Sequence, residues 1–157
     1  MLEKIVEIKS FSQDMFLFVC RLTKQLTQNR EMLLPKPLQE RELIPTEEAF
    51  RYILNSQNVH LFVIYDDHGT PVGMLTAGIY RTPSGHRAWL EDIVVDESHR
   101  GCGYGEKIVE YAINYIKKMD IDTITLTSNS SRVAANKLYQ KMGFERYETN
   151  VYRMKLK

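Results

Sequence analysis

The chain has 157 residues, of which 43% are hydrophobic and 26% are charged, a balance that is typical of a folded globular protein and excludes a disordered one. Its 21 basic and 20 acidic side chains leave a net charge of +1, so no broad electrostatic attraction to nucleic acid or to an anionic membrane is expected. Two cysteines without metal-ligand spacing predict a cytoplasmic protein with no disulfide and no metal, and the charged N-terminus indicates neither a signal peptide nor a membrane span.

The first part of the chain predicts one strand and two helices. Residues 5–8 predict a short first strand, and Ser12 or Asp14 is placed to cap a helix whose apolar side chains follow a helical period. Three prolines within residues 29–45 predict an irregular segment. Thr46, followed by two glutamates and an apolar face, predicts a second capped helix.

The middle of the chain has the patterning of strands. Residues 59–65 and 72–80 flank a turn at 66–69, which predicts a hairpin, and another turn leads to a strand at 88–95. We therefore expect three antiparallel strands in a meander.

Helices and strands alternate after this meander. Residues 105–118 predict an amphipathic helix, and residues 123–127 predict a strand. Ser130 or Ser131 is expected to cap another helix, with Gly143 placed for its C-terminal cap.

The chain closes on an alternation of apolar and basic residues at 151–156, which predicts a final strand. No linker, repeat or low-complexity tract interrupts the pattern. The sequence therefore predicts one α/β domain over residues 1–157, with a mixed sheet.

A glycine-rich stretch, Arg100-Gly101-Cys102-Gly103-Tyr104-Gly105, joins the strand at 88–95 to the helix at 105–118. Its glycines allow positive φ and expose backbone N–H groups, which at a helix start favour an anion such as a pyrophosphate. A tight strand-to-helix turn would explain the glycine spacing equally well. A P-loop is excluded because its Gly-Lys-Ser/Thr is missing.

The order of these motifs resembles the GCN5-related N-acetyltransferase superfamily, most specifically over residues 90–144. The features that carry the resemblance are Arg100, Gly103 and Gly105 after an apolar strand, Asn129 after the next strand, and Ala135-Asn136-Lys137-Leu138-Tyr139 leading to Gly143-Phe144. The resemblance implies a mixed central sheet, flanked by helices, in which the strands at 90–95 and 123–127 splay apart.

The resemblance also implies acetyl coenzyme A as the acetyl donor, with its pyrophosphate on the glycine loop and its pantetheine arm along the preceding strand. The implied contacts are Ile93, Val94, Val95, Arg100, Gly101, Cys102, Gly103, Tyr104, Gly105, Glu106, Asn129 and Asn136. For Asn129 a loop or cap role is the alternative, and for Asn136 simple exposure on a helix is the alternative.

Three residues are expected to carry the chemistry. Tyr139 matches the tyrosine with which the family protonates the leaving thiolate; a core tyrosine is the alternative. Glu91 and Asp92 interrupt an apolar strand, where an unpaired charge is costly, so either is a candidate base for the amine or its water. Because adjacent strand residues face opposite sides, the other carboxylate is expected to pair with Arg81, Arg87 or another base. A wholly structural role is the alternative for either carboxylate.

The function expected from this resemblance is direct transfer of an acetyl group to a primary amine of a small molecule. A protein or peptide acceptor is one alternative, and a regulatory module that binds acyl coenzyme A without turnover is another. A covalent acetyl-enzyme on Cys102 is not expected, because no partner base is evident. The resemblance also allows a homodimer.

Overall fold

A computed structural model of the chain describes residues 4–31, 45–154 and 156. Within these ranges the strands are β1 (Lys4–Glu7), β2 (Val59–Tyr65), β3 (Pro71–Thr82), β4 (Gly85–Val95) and β5 (Thr123–Leu126). The helices are α1 (Gln13–Glu31), α2 (Glu47–Asn55), α3 (Tyr104–Ile116) and α4 (Val133–Lys141), with a 3-10 turn at Glu97–His99. None of these helices has the length and apolar character needed to span a bilayer.

The strands form one mixed sheet in the order β1-β2-β3-β4-β5. All neighbours are antiparallel except β4 and β5, which pair in parallel from Arg87 opposite Thr123 to Leu90 opposite Leu126. Strand β4 then continues to Val95, whereas β5 ends at Leu126. The predicted meander and mixed sheet are confirmed, and the pairing of β4 with β5 ends at Leu90 and Leu126.

The described residues group into two units, one ending at Thr127 and the other beginning at Ser128. The first unit contains the sheet with α1, α2 and α3, and the second contains α4.

Helices cover both faces of the sheet in the first unit. Leu61 and Val63 of β2 belong to a core cluster with residues of α1 and α2. Phe62, between them in sequence, contacts Tyr111 and Tyr115 of α3 with ring centroids 5.4 and 5.0 Å apart. Both faces of β2 are covered, in keeping with the continuous apolar run at its residues 61–64.

Two predicted helix caps are present in the first unit. The Ser12 hydroxyl accepts a hydrogen bond from the Met15 amide at 3.2 Å, so Ser12, and not Asp14, caps α1. The Thr46 hydroxyl accepts one from the Ala49 amide at 3.1 Å. Helix α1 extends to Glu31, so the prediction of an irregular segment at 29–45 is wrong at its start; residues 32–44 lie outside the described residues.

The second unit corrects one cap and confirms another. The expected cap by Ser130 or Ser131 is wrong, because Arg132 precedes α4 without a side-chain cap. At the other end Gly143 has φ +90°, and its amide donates to the Gln140 carbonyl at 3.0 Å. The Phe144 amide donates to the Tyr139 carbonyl at 3.0 Å, so two otherwise unpaired carbonyls of the last turn are satisfied, as predicted for this glycine.

The final strand predicted at 151–156 is wrong. Residues 145–154 contain no regular secondary structure, and the side chains of Tyr152 and Met154 are 89% and 83% exposed. Alternation of apolar and basic residues is only a local signal, whereas a strand also requires a partner for its backbone hydrogen bonds.

Candidate active site

Strand β4 carries a bulge immediately after its pairing with β5 ends. Thr76 of β3 lies opposite Glu91 and Met74 lies opposite Val94, so two residues, Asp92 and Ile93, lie opposite one residue of β3. Asp92 has φ +49°, a left-handed conformation that aspartate tolerates better than most residues. The expected simple alternation of side chains along this strand is therefore wrong at 91–94.

The bulge places the two candidate carboxylates in different environments. Glu91 is exposed, so the expectation of a carboxylate within the apolar core is wrong for this residue. Asp92 and Ile93 are partly buried, Val94 packs in the core cluster, and Val95 is partly buried.

The arginines proposed as partners of these carboxylates have other contacts at the opposite end of β4. The Arg81 guanidinium lies 3.1 Å from Nδ1 of His86, and that of Arg87 donates to the Ser84 hydroxyl at 2.9 Å.

The glycine loop, defined as Arg100–Gly105, is open to solvent where its glycines turn. Gly101 and Gly103 have φ +81° and +82°, and a Cβ added at either position would meet no atom within 4 Å. Gly101, Cys102 and Gly103 are exposed. An open backbone of this kind is better explained by binding of an anionic group of a ligand than by a turn that only packs against the protein.

Helix α3 begins directly after this loop. Gly103 is its N-cap, and Tyr104, Gly105 and Glu106 form the first turn, whose amides point toward the N-terminal end as in any helix. The ammonium group of Lys107 lies 5.7 Å from the Tyr104 ring centroid. On the preceding side, Arg100 is exposed and donates from Nε to the Val95 carbonyl at 3.3 Å. Both cations raise the positive potential at this helix start.

One group at the site was missed by the sequence interpretation. Asp96 directly follows β4 and is buried, and its Oδ1 accepts hydrogen bonds from the Ser98 amide and hydroxyl at 3.2 and 2.8 Å. The aspartate with a serine two residues later is a recognisable turn signal. Asp96 also forms an ion pair with Arg21 of α1 at 3.1 Å. No local pattern in the sequence predicts this ion pair, because it depends on the packing of two segments that are far apart in the chain.

Asn129 and Asn136 lie together in the second unit. The Asn136 side-chain amide donates to the carbonyls of Asn129 and Arg132 at 2.8 and 3.0 Å. Oδ1 of Asn129 accepts from the Ser131 amide at 2.9 Å. These bonds hold the turn that enters α4, which gives both residues a structural role.

Tyr139 is the buried residue of α4, with 5% exposure, and its ring packs edge-on against Phe144 at a centroid distance of 6.2 Å. Burial raises the pKa of Tyr139 above its ordinary value, although the charge of Arg132 acts in the opposite direction. The phenol is therefore protonated at neutral pH and able to act as a proton donor.

Both cysteines are unbridged. Over residues 4–31, 45–154 and 156, no three His, Cys, Asp or Glu side chains are grouped so that they could hold a metal ion.

Comparison with known proteins agrees with this geometry. A model of the acetyltransferase (GNAT) family matches residues 26–144. The chain is 26% identical over 129 residues to the uncharacterized N-acetyltransferase YhdJ of Bacillus subtilis, covering 77% of this chain and 89% of that protein. It is 29% identical over 103 residues to N-alpha-acetyltransferase 30 of Saccharomyces cerevisiae, covering 62% of this chain and 58% of that protein.

A solved structure has the same fold over nearly the whole chain. It is an aminoglycoside acetyltransferase from an uncultured soil metagenomic sample, in complex with sisomicin, with a TM-score of 0.76, 18% identity and coverage of 98% of this chain and 97% of that one. The family model and the sequence relatives thus show an N-acetyltransferase. The chain belongs to the acetyltransferase (GNAT) family.

Proposed function

We propose that this protein transfers an acetyl group from acetyl coenzyme A directly to a primary amine of a small molecule. The family uses this donor, and the observation that carries the proposal for this chain is the open glycine loop, with Gly101 and Gly103 at positive φ, at the start of α3. The loop follows a strand whose last residues extend beyond their parallel neighbour.

The pyrophosphate of the donor binds the backbone from Gly101 to Glu106 in this proposal. Helix-start amides and the helix dipole favour an anion there, and the cations of Arg100 and Lys107 add to the attraction. Because Cys102 belongs to this phosphate-binding backbone, it is not assigned a role as a nucleophile.

The pantetheine arm runs along the bulged part of β4, beside Ile93, Val94 and Val95. In this proposal the arm lies on the side of β4 that pairs with β5 up to Leu90, beyond the point where β5 ends at Leu126. A backbone N–H at the bulge polarises the thioester carbonyl and stabilises the oxyanion that forms on attack, a contribution of about 3 kcal/mol for one such donor.

The acceptor must lose a proton before it attacks, because an alkyl ammonium group has a pKa of about 10. Asp92, partly buried in the bulge, is assigned as the base that removes this proton directly or through water; exposed Glu91 is the second choice. The amine nitrogen then forms a bond to the carbonyl carbon, and the carbon–sulfur bond breaks.

Tyr139 donates a proton to the departing thiolate and completes the transfer. Its burial and raised pKa keep this proton in place at neutral pH, and its position in the α4 motif matches the family acid. Asn129 and Asn136 form hydrogen bonds within their turn. In keeping with the family pattern, they are also assigned as further coenzyme A contacts.

The small-molecule acceptor is favoured by the aminoglycoside acetyltransferase of the same fold. A protein N-terminus is the second candidate, favoured by the 29% identity to the yeast N-alpha-acetyltransferase. A cytoplasmic location and a homodimer are also part of the proposal, and light scattering of the purified protein would check the dimer.

The test combines coenzyme A binding with thiol release over a panel of aminoglycosides, amino sugars, amino acids and peptides. Tyr139→Phe is expected to keep coenzyme A affinity and lose about 100-fold in kcat. Tyr147→Phe is the matched control, because that tyrosine of the same unit is 84% exposed. Peptides as the exclusive acceptors would favour the second candidate, binding without any turnover would indicate a regulatory module, and absence of binding would overturn the donor assignment.

A further inference from the structure

Asp96 lies between β4 and the 3-10 turn that leads into the glycine loop. Its backbone amide donates to the Val72 carbonyl at 2.8 Å, and its carbonyl accepts from the His99 amide at 2.9 Å. Its Oδ1 accepts the hydrogen bonds of Ser98, and its Oδ2 forms an ion pair with Arg21 of α1 at 3.1 Å. One buried carboxylate therefore contacts both the turn before the loop and a helix that is distant in sequence.

Helix α1 provides a second contact one turn further along. Gln25 lies four residues after Arg21, hence on the same face of the helix, and its Oε1 accepts a hydrogen bond from the Glu97 amide at 3.1 Å. Burial of Asp96 opposes its ionisation, but the Ser98 hydrogen bonds, the Arg21 charge and Gln25 together lower its pKa below the ordinary value. The carboxylate is thus charged at neutral pH.

We propose that Asp96, Arg21 and Gln25 form a clasp that positions the glycine loop for the pyrophosphate of acetyl coenzyme A. The inference rests on the proposed function. The loop needs an external anchor because Gly101 and Gly103 have few conformational restraints of their own. Since the 3-10 turn and the Arg100–Val95 hydrogen bond connect Asp96 to the loop, its displacement would move the phosphate-binding amides.

The clasp acts through the loop and not by contact with the ligand. Asp96 is 7% exposed, both of its oxygens are engaged, and its negative charge would repel a pyrophosphate. Asp96, Arg21 and Gln25 are therefore positioning residues. Their loss should weaken donor binding while leaving the rate of the chemical step at saturating donor nearly unchanged.

The experiment measures coenzyme A affinity by calorimetry and the kcat and KM for acetyl coenzyme A in the double variant Arg21→Ala/Gln25→Ala. The Arg21 side chain is 57% exposed, so its removal leaves the core intact. We expect Kd and KM to rise about tenfold and kcat to change less than about twofold. Lys24→Ala is the matched control, since it removes a positive charge from an exposed position on the same helix.

Two further variants sharpen the result. Arg21→Lys with Gln25 intact keeps a cation within reach of Asp96 and should stay within about threefold of the wild-type Kd. Asp96→Asn keeps an acceptor for Ser98 but loses the charge, so an intermediate loss of affinity is expected.

An unchanged Kd in the double variant, with wild-type binding intact, would overturn the clasp alone. An equal loss in Lys24→Ala would also overturn it, because general electrostatics would then explain the effect. If the wild-type protein itself did not bind coenzyme A, the donor assignment and the clasp would both be overturned.

Discussion

The two halves of β4 differ in their neighbouring strands. From Gly85 to Leu90 the strand pairs with β3 on one side, and from Arg87 with β5 on the other. The start of this half is closed by Asp122, whose Oδ2 accepts from the His86 amide at 2.6 Å and whose amide donates to the His86 carbonyl at 2.8 Å. From Glu91 to Val95 the strand is bulged and pairs with β3 alone in the described chain.

The glycine that begins β4 and the first glycine of the loop after the strand show the same difference. A Cβ on Gly85 would lie 2.7 Å from Oδ2 of Asp122, whereas a Cβ on Gly101 would meet nothing within 4 Å. The first glycine permits close packing of protein against protein, and the second leaves room beside the backbone. A single strand thus has a strand on both sides in its first half and pairs with β3 in its second half, where the donor is proposed to bind.

The largest effect is expected from Asp92→Asn in the open half. Asparagine also tolerates positive φ, so the bulge should survive while the proposed base is lost. We expect kcat at pH 7 to fall about 100-fold, with partial recovery at higher pH as the amine loses its proton unaided.

Glu91→Gln is the control for this prediction, measured with the same acceptor and pH series. A greater loss in Glu91→Gln than in Asp92→Asn would reverse the assignment of the base and mean that the exposed side of the strand faces the acceptor.

Gly101→Ala/Gly103→Ala should weaken coenzyme A binding at least about tenfold, because both residues have positive φ and the added methyl groups enter the space assigned to the ligand. Gly69→Ala is the control for backbone strain, because Gly69 has φ +82° in an open turn between β2 and β3. Equal Kd changes in the two proteins would show that strain, and not ligand contact, is responsible.

Gly85→Ala tests the closed half and should destabilise the fold by about 1–3 kcal/mol, because alanine is strained at φ +150° and its Cβ meets Asp122. Urea unfolding would measure this loss, and coenzyme A affinity of the folded protein should not change. Adding Asp122→Ala should recover the steric part of the loss; a weaker affinity for coenzyme A would contradict the separation of the two halves.

The smallest effect concerns pH and Asp96. Because its pKa in the folded protein is lower than the value of about 3.9 in an unfolded chain, its ionisation stabilises the fold above that pH, and this stabilisation is lost as the pH falls through the folded pKa. The difference in free energy of unfolding between wild type and Asp96→Asn should be constant above about pH 5 and shrink below about pH 4. A constant difference down to pH 3 would contradict the lowered pKa.

Local signals in the sequence predicted much of this architecture. The cap at Thr46, the turn glycines and the glycine after α4 each act within a few residues, and the structure confirms them. The family motif also singled out the glycine loop, Asn129 and Asn136. The two asparagines are hydrogen-bonded to each other in one turn.

Features that depend on distant partners were not predictable in this way. The bulge at Asp92 arises from the register with β3, and the contact between Asp96 and Arg21 arises from the packing of α1. The strand predicted at 151–156 was wrong for the opposite reason: its alternation of apolar and basic residues is present in the sequence, but it has no partner strand in the described residues.

The unequal pairing of β4 has a consequence for amide hydrogen exchange. Amides between Arg87 and Leu90 lie between two neighbouring strands and should exchange slowly in the free protein. Binding of the donor along residues 91–95 should slow amide exchange there, whereas exchange between Arg87 and Leu90 should not change. Ligand occupancy would then be recorded as protection confined to half of one strand.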